Sequence, residues 1–266
     1  MQTLEDAPPA TRRERRATPT PKRRRRVSVI GVIGEVLMTA GVIIFLYVAW
    51  QMWIGDLITG AQANADAHSL SQQWEEEYED QADPVPPTEQ SETEPVFAEP
   101  PVLPQPADAE TFAAMYIPRF GADYTREIAG GTTRPRTLDT NRIGHYTDAA
   151  MPGEVGNFSL AAHRTTYGAP FNRLAELHVN DAIVIETPDG WYTYRFRTLQ
   201  YVKPSEVDVL LDVPQAPEVP AGERYITLTS CSPMFSLAER IIGYGLFEGF
   251  TPRSAGPPAS LTEVVA

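Results

Sequence analysis

A single cysteine, Cys231, lies in the run Tyr225-Ile-Thr-Leu-Thr-Ser-Cys-Ser-Pro233, and an arginine, Arg240, follows nine residues later. A lone thiol has no partner for an internal disulfide, so it is either buried filler or a reactive group. An unperturbed thiol, with a pKa of about 8.5, is only a few per cent thiolate near neutral pH. A nucleophilic cysteine therefore needs an imidazole or a positive charge close by. Attack on a carbonyl also needs donors for the oxyanion that forms.

Four histidines could supply the imidazole. His68 falls in an acidic stretch expected to be disordered. His178 precedes Asn180-Asp181, a turn-like setting that suits a solvated ring. His145, in Ile143-Gly-His-Tyr146 ahead of a Pro-Gly loop, competes with His163. His163 ends the strand-like run Asn157-Phe-Ser-Leu-Ala-Ala162 and opens the loop Arg164-Thr-Thr-Tyr-Gly168. Loops at strand ends are where sites on β scaffolds usually lie. On residue types alone, both His145 and His163 remain open.

Several other chemistries are excluded. One cysteine and four scattered histidines give no zinc-ligand spacing, so no metal and no cofactor are expected. No G-x-S-x-G elbow occurs. Gly243-Tyr-Gly245 lies in a strand-like run, lacks the G-x-G-x-x-G spacing and opens no helix, which rules against a nucleotide loop. Asn157-Phe-Ser159 fits the glycosylation triplet, yet it sits in an expected core strand.

The segment that must position these groups runs from residue 111 to 253, with thirteen Lys/Arg against sixteen Asp/Glu. About 140 residues make a normal single core. Ala182–Thr187 and Trp191–Phe196 flank Pro188-Asp-Gly190, a hairpin signal. Leu199–Val202, Arg224–Ser230 and Arg240–Phe247 read as further short strands, and Pro170–Leu177 as the one short helix. Many short strands with regular turns indicate a mainly β barrel whose loops carry the site.

The net charge of −13 hides a segregation. Residues 1–26 carry nine Lys/Arg against three acids, a pattern that could suggest nucleic-acid binding. An apolar segment, residues 27–54 with Glu35 as its one charge, follows at once and favours a membrane reading, with no nucleic-acid partner. Its 28 positions suffice to span a bilayer. The basic flank places the N-terminus in the cytoplasm, and Trp50 and Trp53 suit the far interface. A cleaved signal peptide competes, because Ala61-Gln-Ala63 resembles a cleavage site, but a secretory apolar core is only 7–15 residues long. Glu35 is read as a partner contact or an interfacial group. Residues 55–110, with fourteen Asp/Glu and no Lys or Arg, read as a disordered acidic, Pro-rich extracellular spacer. Leu70, Trp74 and Tyr78 allow a short helix over residues 66–79. Residues 254–266 read as a flexible tail.

The motifs then become specific. Thr227-Leu-Thr-Ser-Cys231 is similar to the TLxTC signature of sortases, the cysteine transpeptidases of Gram-positive bacterial surfaces. Leu160-Ala-Ala-His-Arg-Thr-Thr-Tyr-Gly-Ala-Pro-Phe-Asn-Arg-Leu174 resembles the family's histidine segment. Tyr116-Ile-Pro-Arg-Phe-Gly121 resembles its opening strand, and Arg240-Ile-Ile-Gly-Tyr-Gly245 its arginine position. The details look most like class E sortases of actinobacteria.

The resemblance implies an eight-stranded sortase-type β-barrel with short helices, one transmembrane helix before it and the catalytic domain outside the cell. It implies Cys231 as nucleophile towards the Thr–Gly bond of a C-terminal Leu-Ala/Pro-x-Thr-Gly signal, His163 as acid and base, and Arg240 as the holder of substrate and oxyanion. The implied partners are secreted proteins bearing that signal, a lipid II-type peptidoglycan precursor amine and the cytoplasmic membrane. The family often works through a minor thiolate–imidazolium form. Ser230 stands where threonine is usual. Substrate-groove candidates are Ser230, Thr229, Tyr167, Tyr116 and Tyr146. A pilin-polymerising sortase with a lysine nucleophile, or a non-catalytic wall-binding scaffold, are the rival functions.

Overall fold

Eight strands close into a barrel in the computed structural model, which describes residues 28–81 and 98–263. They are β1 (Thr111–Tyr116), β2 (Thr125–Gly130), β3 (Ile143–His145), β4 (Gly156–Ala161), β5 (Ala182–Thr187), β6 (Gly190–Val202), β7 (Arg224–Ser232) and β8 (Glu239–Pro252). The order around the barrel is β1-β2-β3-β4-β7-β8-β6-β5, with β5 pairing back onto β1. Two junctions, β2–β3 and β4–β7, are parallel, and the rest are antiparallel.

Side chains alternate across a strand, so each strand gives one face to the core. Phe158 and Leu160 of β4 meet Ile226 and Leu228 of β7 in that core, with Tyr192 and Tyr194 of β6 and Ile183 and Ile185 of β5. β4 is buried at all six positions. Its outer side is covered by the long β6–β7 connection, from which the carbonyls of Val209 and Leu211 accept bonds from Asn157 Nδ2. That connection adds a second apolar cluster of Val202, Val209, Ile242 and Tyr244.

The β5–β6 hairpin forms where Pro-Asp-Gly signals it. Gly190 has φ +145°, and a Cβ there would lie 2.3 Å from the Thr251 carbonyl oxygen, so backbone freedom and close approach both require glycine. The segment expected as a separate strand over 199–202 is instead the far end of β6, joined across a bulge between Phe196 and Thr198. The helix expected over 170–177 shortens to one 3-10 turn, Leu174–Glu176, and the backbone bonds here run from i to i−3, as from Leu174 to Phe171 and from Leu177 to Leu174. The run Tyr116–Gly121, expected as an opening strand, holds only the last residue of β1, and Pro118–Phe120 form a 3-10 turn, while β2 and β3 lack a clear alternating pattern in the sequence.

The expected spacer needs the largest correction. One helix, α1, runs from Val29 to Gln81, past the expected end of the apolar span at Ile54. Its apolar part is long enough, and apolar enough by composition, to cross a membrane. Its later part is not disordered. Ala63, Ala67 and Trp74 recur at helical spacing and are buried. Ser71 Oγ donates to Glu186 Oε1 (3.0 Å), and Glu75 pairs with Arg253 (2.8 Å). Alanine-rich sequence favours the helix, and burial against the barrel supplies what an isolated acidic segment lacks.

The Pro-rich residues 98–110 are also ordered on the barrel. Ala98 bridges to Phe250, Tyr192 donates to the Pro101 carbonyl (2.7 Å), and Asp108 bridges to Gly130. Residues 1–27, 82–97 and 264–266 lie outside the described residues. Of the expected flexible tail, residues 254–263 are likewise held down. Ser260 is buried and hydrogen-bonds Thr193 (3.0 Å), and Glu263 pairs with Arg195 (2.8 Å).

Arg253 ties these additions to the barrel. Its guanidinium, almost wholly buried, pairs with Glu186 and Glu75, donates to the Pro188 and Thr187 carbonyls and lies 4.8 Å over the Trp191 ring. Removing one member of a buried pair leaves the other uncompensated. Glu186→Ala is expected to lower stability by about 3 kcal/mol. The midpoint of denaturant unfolding checks it, and a shift worth under about 1 kcal/mol contradicts this role.

Candidate active site

The parallel β4–β7 ladder sets the site. Its last pair is Ala161 with Thr229, so two residues further along each chain stand His163 and Cys231. The ladder is prolonged by Ala162 N–H donating to the Thr229 carbonyl (3.2 Å). On the other side, Cys231 is the direct antiparallel partner of Arg240. Because core residues occupy Phe158, Leu160, Ile226 and Leu228, the alternate positions Ala161, His163, Thr229 and Cys231 face away from the core. His163, Cys231 and Arg240 thus form a row across three neighbouring stretches of chain. All three line one cavity of about 580 Å³.

Hydrogen bonds fix the floor of this cavity. Thr229 Oγ1 donates to the Leu160 carbonyl (3.0 Å) and therefore accepts from the Tyr146 hydroxyl (3.1 Å). Ser230 Oγ donates to the Ala162 carbonyl (2.8 Å) and is buried. Its hydroxyl thus staples β7 to the residue before His163, rather than standing ready for substrate.

His163 is held from two sides. Nε2 lies 2.8 Å from Asp139 Oδ1, so this nitrogen carries the proton and donates it to the carboxylate. The Tyr167 ring stacks on the imidazole at 5.1 Å. Asp139 sits in the 3-10 turn Leu138–Thr140, which also bears Leu138 of the cavity wall. Sequence reasoning missed Asp139, since nothing in its spacing connects it with His163. It also missed Phe235 and Leu237 of the β7–β8 loop, exposed apolar side chains on the cavity rim.

The remaining candidates separate cleanly. Tyr146 lines the cavity, and Tyr167 flanks it through His163. Tyr116, expected in the groove, is elsewhere: its hydroxyl donates to Glu186 (2.7 Å), and burial together with that carboxylate pushes its pKa up. His145 is a core residue, packed on Phe158 and Phe112, with Nε2–H donating to the Ala150 carbonyl (3.0 Å). Desolvation holds its pKa below the usual imidazole range, so it stays neutral. His68 lies on α1 near Tyr116, away from the cavity.

The loop after His163 carries backbone that few residues adopt. Thr166, Tyr167, Gly168 and Ala169 all have positive φ, and a Cβ at Gly168 would meet Asn141 Oδ1 at 1.9 Å. The helix α1 holds this loop in place. Asp56 accepts from the N–H groups of Thr166 (3.0 Å) and Gly168 (3.3 Å), and Asn141 Nδ2 donates to the Thr59 carbonyl (2.7 Å). One helical turn thereby braces both the loop after His163 and the turn that bears Asp139.

The family model described as "Sortase domain" matches residues 115–247, a stretch that contains His163, Cys231 and Arg240. The chain belongs to the sortase family. Sortase SrtE1 of Streptomyces coelicolor is 34% identical over 235 residues, which cover 86% of this chain and 60% of that protein. The chain therefore spans less than two thirds of that relative's length. Sortase SrtE2 of the same organism is 29% identical, covering 81% of each. Among solved structures, the Streptomyces coelicolor sortase E1 with a tripeptide in its active site has 38% identity and a TM-score of 0.55, covering 59% of this chain and 99% of that one. The Actinomyces oris SrtA sortase has 36% identity and a TM-score of 0.58, covering 61% and 93%. This sortase is class E-like by these likenesses.

Asp56→Ala removes the acceptor of two loop N–H groups. Hydrogen exchange at Thr166 and Gly168 is expected to quicken about 10-fold or more, and unchanged rates would show that α1 does not brace the loop.

Proposed function

We propose that this sortase is a membrane-anchored cysteine transpeptidase that cleaves a C-terminal sorting signal between Thr and Gly and joins the threonine to an amine of a cell-wall precursor. The observation that carries this reading is the row of Cys231, His163 and Arg240 in one cavity on the outer face of the β4–β7–β8 sheet.

Each group has work that suits its chemistry. The Cys231 thiolate attacks the threonine carbonyl, and the negative charge that forms on oxygen faces Arg240, whose cation is permanent. The Arg240 guanidinium is itself steadied, since Nη1 donates to the carbonyls of Glu239 (2.9 Å) and Leu237 (3.3 Å). As the C–N bond breaks, the leaving amine takes a proton from the His163 imidazolium. The thioester left on Cys231 is then attacked by the acceptor amine, which gives its proton to His163. An amide forms and the thiolate is released. Asp139 fixes the proton on Nε2, which leaves Nδ1 as the ring atom that gives and takes protons. Phe235 and Leu237 supply an apolar lip for the aliphatic side chains of the signal. A Leu-Ala-x-Thr-Gly signal is favoured over Leu-Pro-x-Thr-Gly, in keeping with the class E likeness.

The apolar part of α1 serves as the anchor, with the basic N-terminal residues in the cytoplasm and the barrel outside. Acceptors of the lysine type define the pilin-polymerising alternative, which the same assay separates.

The test is incubation of the full chain with both signal peptides and an amine acceptor. Cleavage between Thr and Gly with a thioacyl adduct on Cys231 is expected, and Cys231→Ala gives neither. His163→Ala is expected to lower turnover about 10³-fold. Asp139→Ala is expected to lower kcat at least about 10-fold with KM for the peptide unchanged, as for an orienting group. Full activity in Cys231→Ala, or loss of activity in His145→Ala but not in His163→Ala, would overturn the assignment.

A further inference from the structure

A second cavity, of about 640 Å³, adjoins the catalytic one and shares Arg164, Thr165 and Phe235 with it. One wall is the stretch of α1 from Asp56 to Asn64, and the other is the barrel with Phe120, Tyr124 and Pro170. Two arginines on this lining are nearly buried, Arg126 at 6% exposure and Arg164 at 9%. Neither meets a carboxylate among the described residues. Arg126 Nη1 donates to the Asn64 side chain and the Thr125 carbonyl, and Arg164 Nε donates to the Asn172 carbonyl (3.0 Å). Arg126 Nε and Arg164 Nη1 have no acceptor among the described residues.

The contrast with Arg253 is direct, because that equally buried arginine has two carboxylates. Within the cavity, Arg173 is matched by Glu176, and Asp56 is engaged by the loop N–H groups. Asp123 is exposed at the edge. Desolvation draws Arg126 below its usual pKa, as expected of a buried cation without a counter-charge. Buried cations are normally paired, and unpaired ones beside an open cavity call for an anion from outside the chain.

We propose that this second cavity binds an anionic group, a carboxylate or a phosphate, of the acceptor whose amine enters the catalytic cavity. The inference rests on the transpeptidase reading. The constant positions of the proposed sorting signal, Leu, Ala or Pro, Thr and Gly, are neutral and give these guanidiniums no counter-charge. Arg164, by contrast, directly follows His163, the group that must deprotonate the incoming amine. An anion held at Arg164 and Arg126 would bring the amine up along the shared wall. A peptidoglycan precursor carries both peptide carboxylates and a lipid diphosphate, so the shared chemistry is an anion linked to an amine.

The experiment uses the full chain in detergent and two pairs of acceptors: triglycine with its C-terminal amide, and aminohexyl phosphate with aminohexanol. The anionic member of at least one pair is expected to show an acceptor KM about 10-fold lower. A preference in the first pair identifies a carboxylate subsite, and in the second a phosphate subsite. Arg126→Gln is expected to abolish the preference while acceptor-independent hydrolysis of the signal peptide persists. Arg126→Lys, which keeps a charge at this buried position, is expected to retain part of the preference. Equal KM values within both pairs, or a preference unaltered in Arg126→Gln, would overturn the proposal. A wild-type chain that cleaves no signal peptide at all would sink the transpeptidase reading instead.

Discussion

The parallel pairing of β4 with β7 is the constraint on which the site depends. A parallel ladder brings residues from distant parts of the chain level without reversing their facing, so Ala161 opposite Thr229 places the next outward residues, His163 and Cys231, on one side. The antiparallel partner β8 then adds Arg240 opposite Cys231. A slip of one residue in either ladder would turn one of the three groups into the core. The register is protected by burial. Phe158, Leu160, Ile226 and Leu228 have no exposure, and exchanging them with their polar neighbours would cost several kcal/mol in lost burial and unsatisfied groups. The Thr229 and Ser230 hydroxyls lock the same register from the β7 side, each donating to a carbonyl at the end of β4.

Around this rigid row the structure places less regular elements. The loop after His163 runs through consecutive residues of positive φ, a conformation that persists only where surroundings hold it. Part of the hold comes from α1, through Asp56 and Thr59. The same helix is fastened further along by Glu75 to Arg253 and by Ser71 to Glu186. The segment between an apolar helix and a catalytic barrel is therefore structural rather than a tether. It also walls the second cavity, so the helix with the long apolar stretch also shapes the surroundings of the site.

Much of this was legible in the sequence, and the gaps have physical reasons. Local patterns exposed β4, β5, β6, β7 and β8, because each alternates or carries a turn signal such as Pro188-Asp-Gly190. The row of three groups was legible through motifs, since the residues around Cys231 and His163 are set by their own strand ends. Asp139 was not, because its link to His163 is made by tertiary proximity and by no spacing along the chain. The order of residues 55–81 and 98–110 is not legible in the sequence for a related reason. Acidic and Pro-rich composition argues against a segment folding alone, yet Trp74 and the alanines at helical spacing find the barrel surface, and Arg253 neutralises part of the charge. Tyr116 looked like a groove residue because it sits beside a matched motif, but its strand position points it at Glu186.

The claim most exposed to test is that the β4–β7 register sets residue 163 beside Cys231. His163→Cys in the full chain, treated with dibromobimane, measures it directly, because this reagent becomes fully fluorescent only when both of its arms have alkylated thiols. The account predicts rapid fluorescence and a single intramolecular bridge between residues 163 and 231 by peptide mass. Two thiols that alkylate separately, with no bridged product, would contradict it.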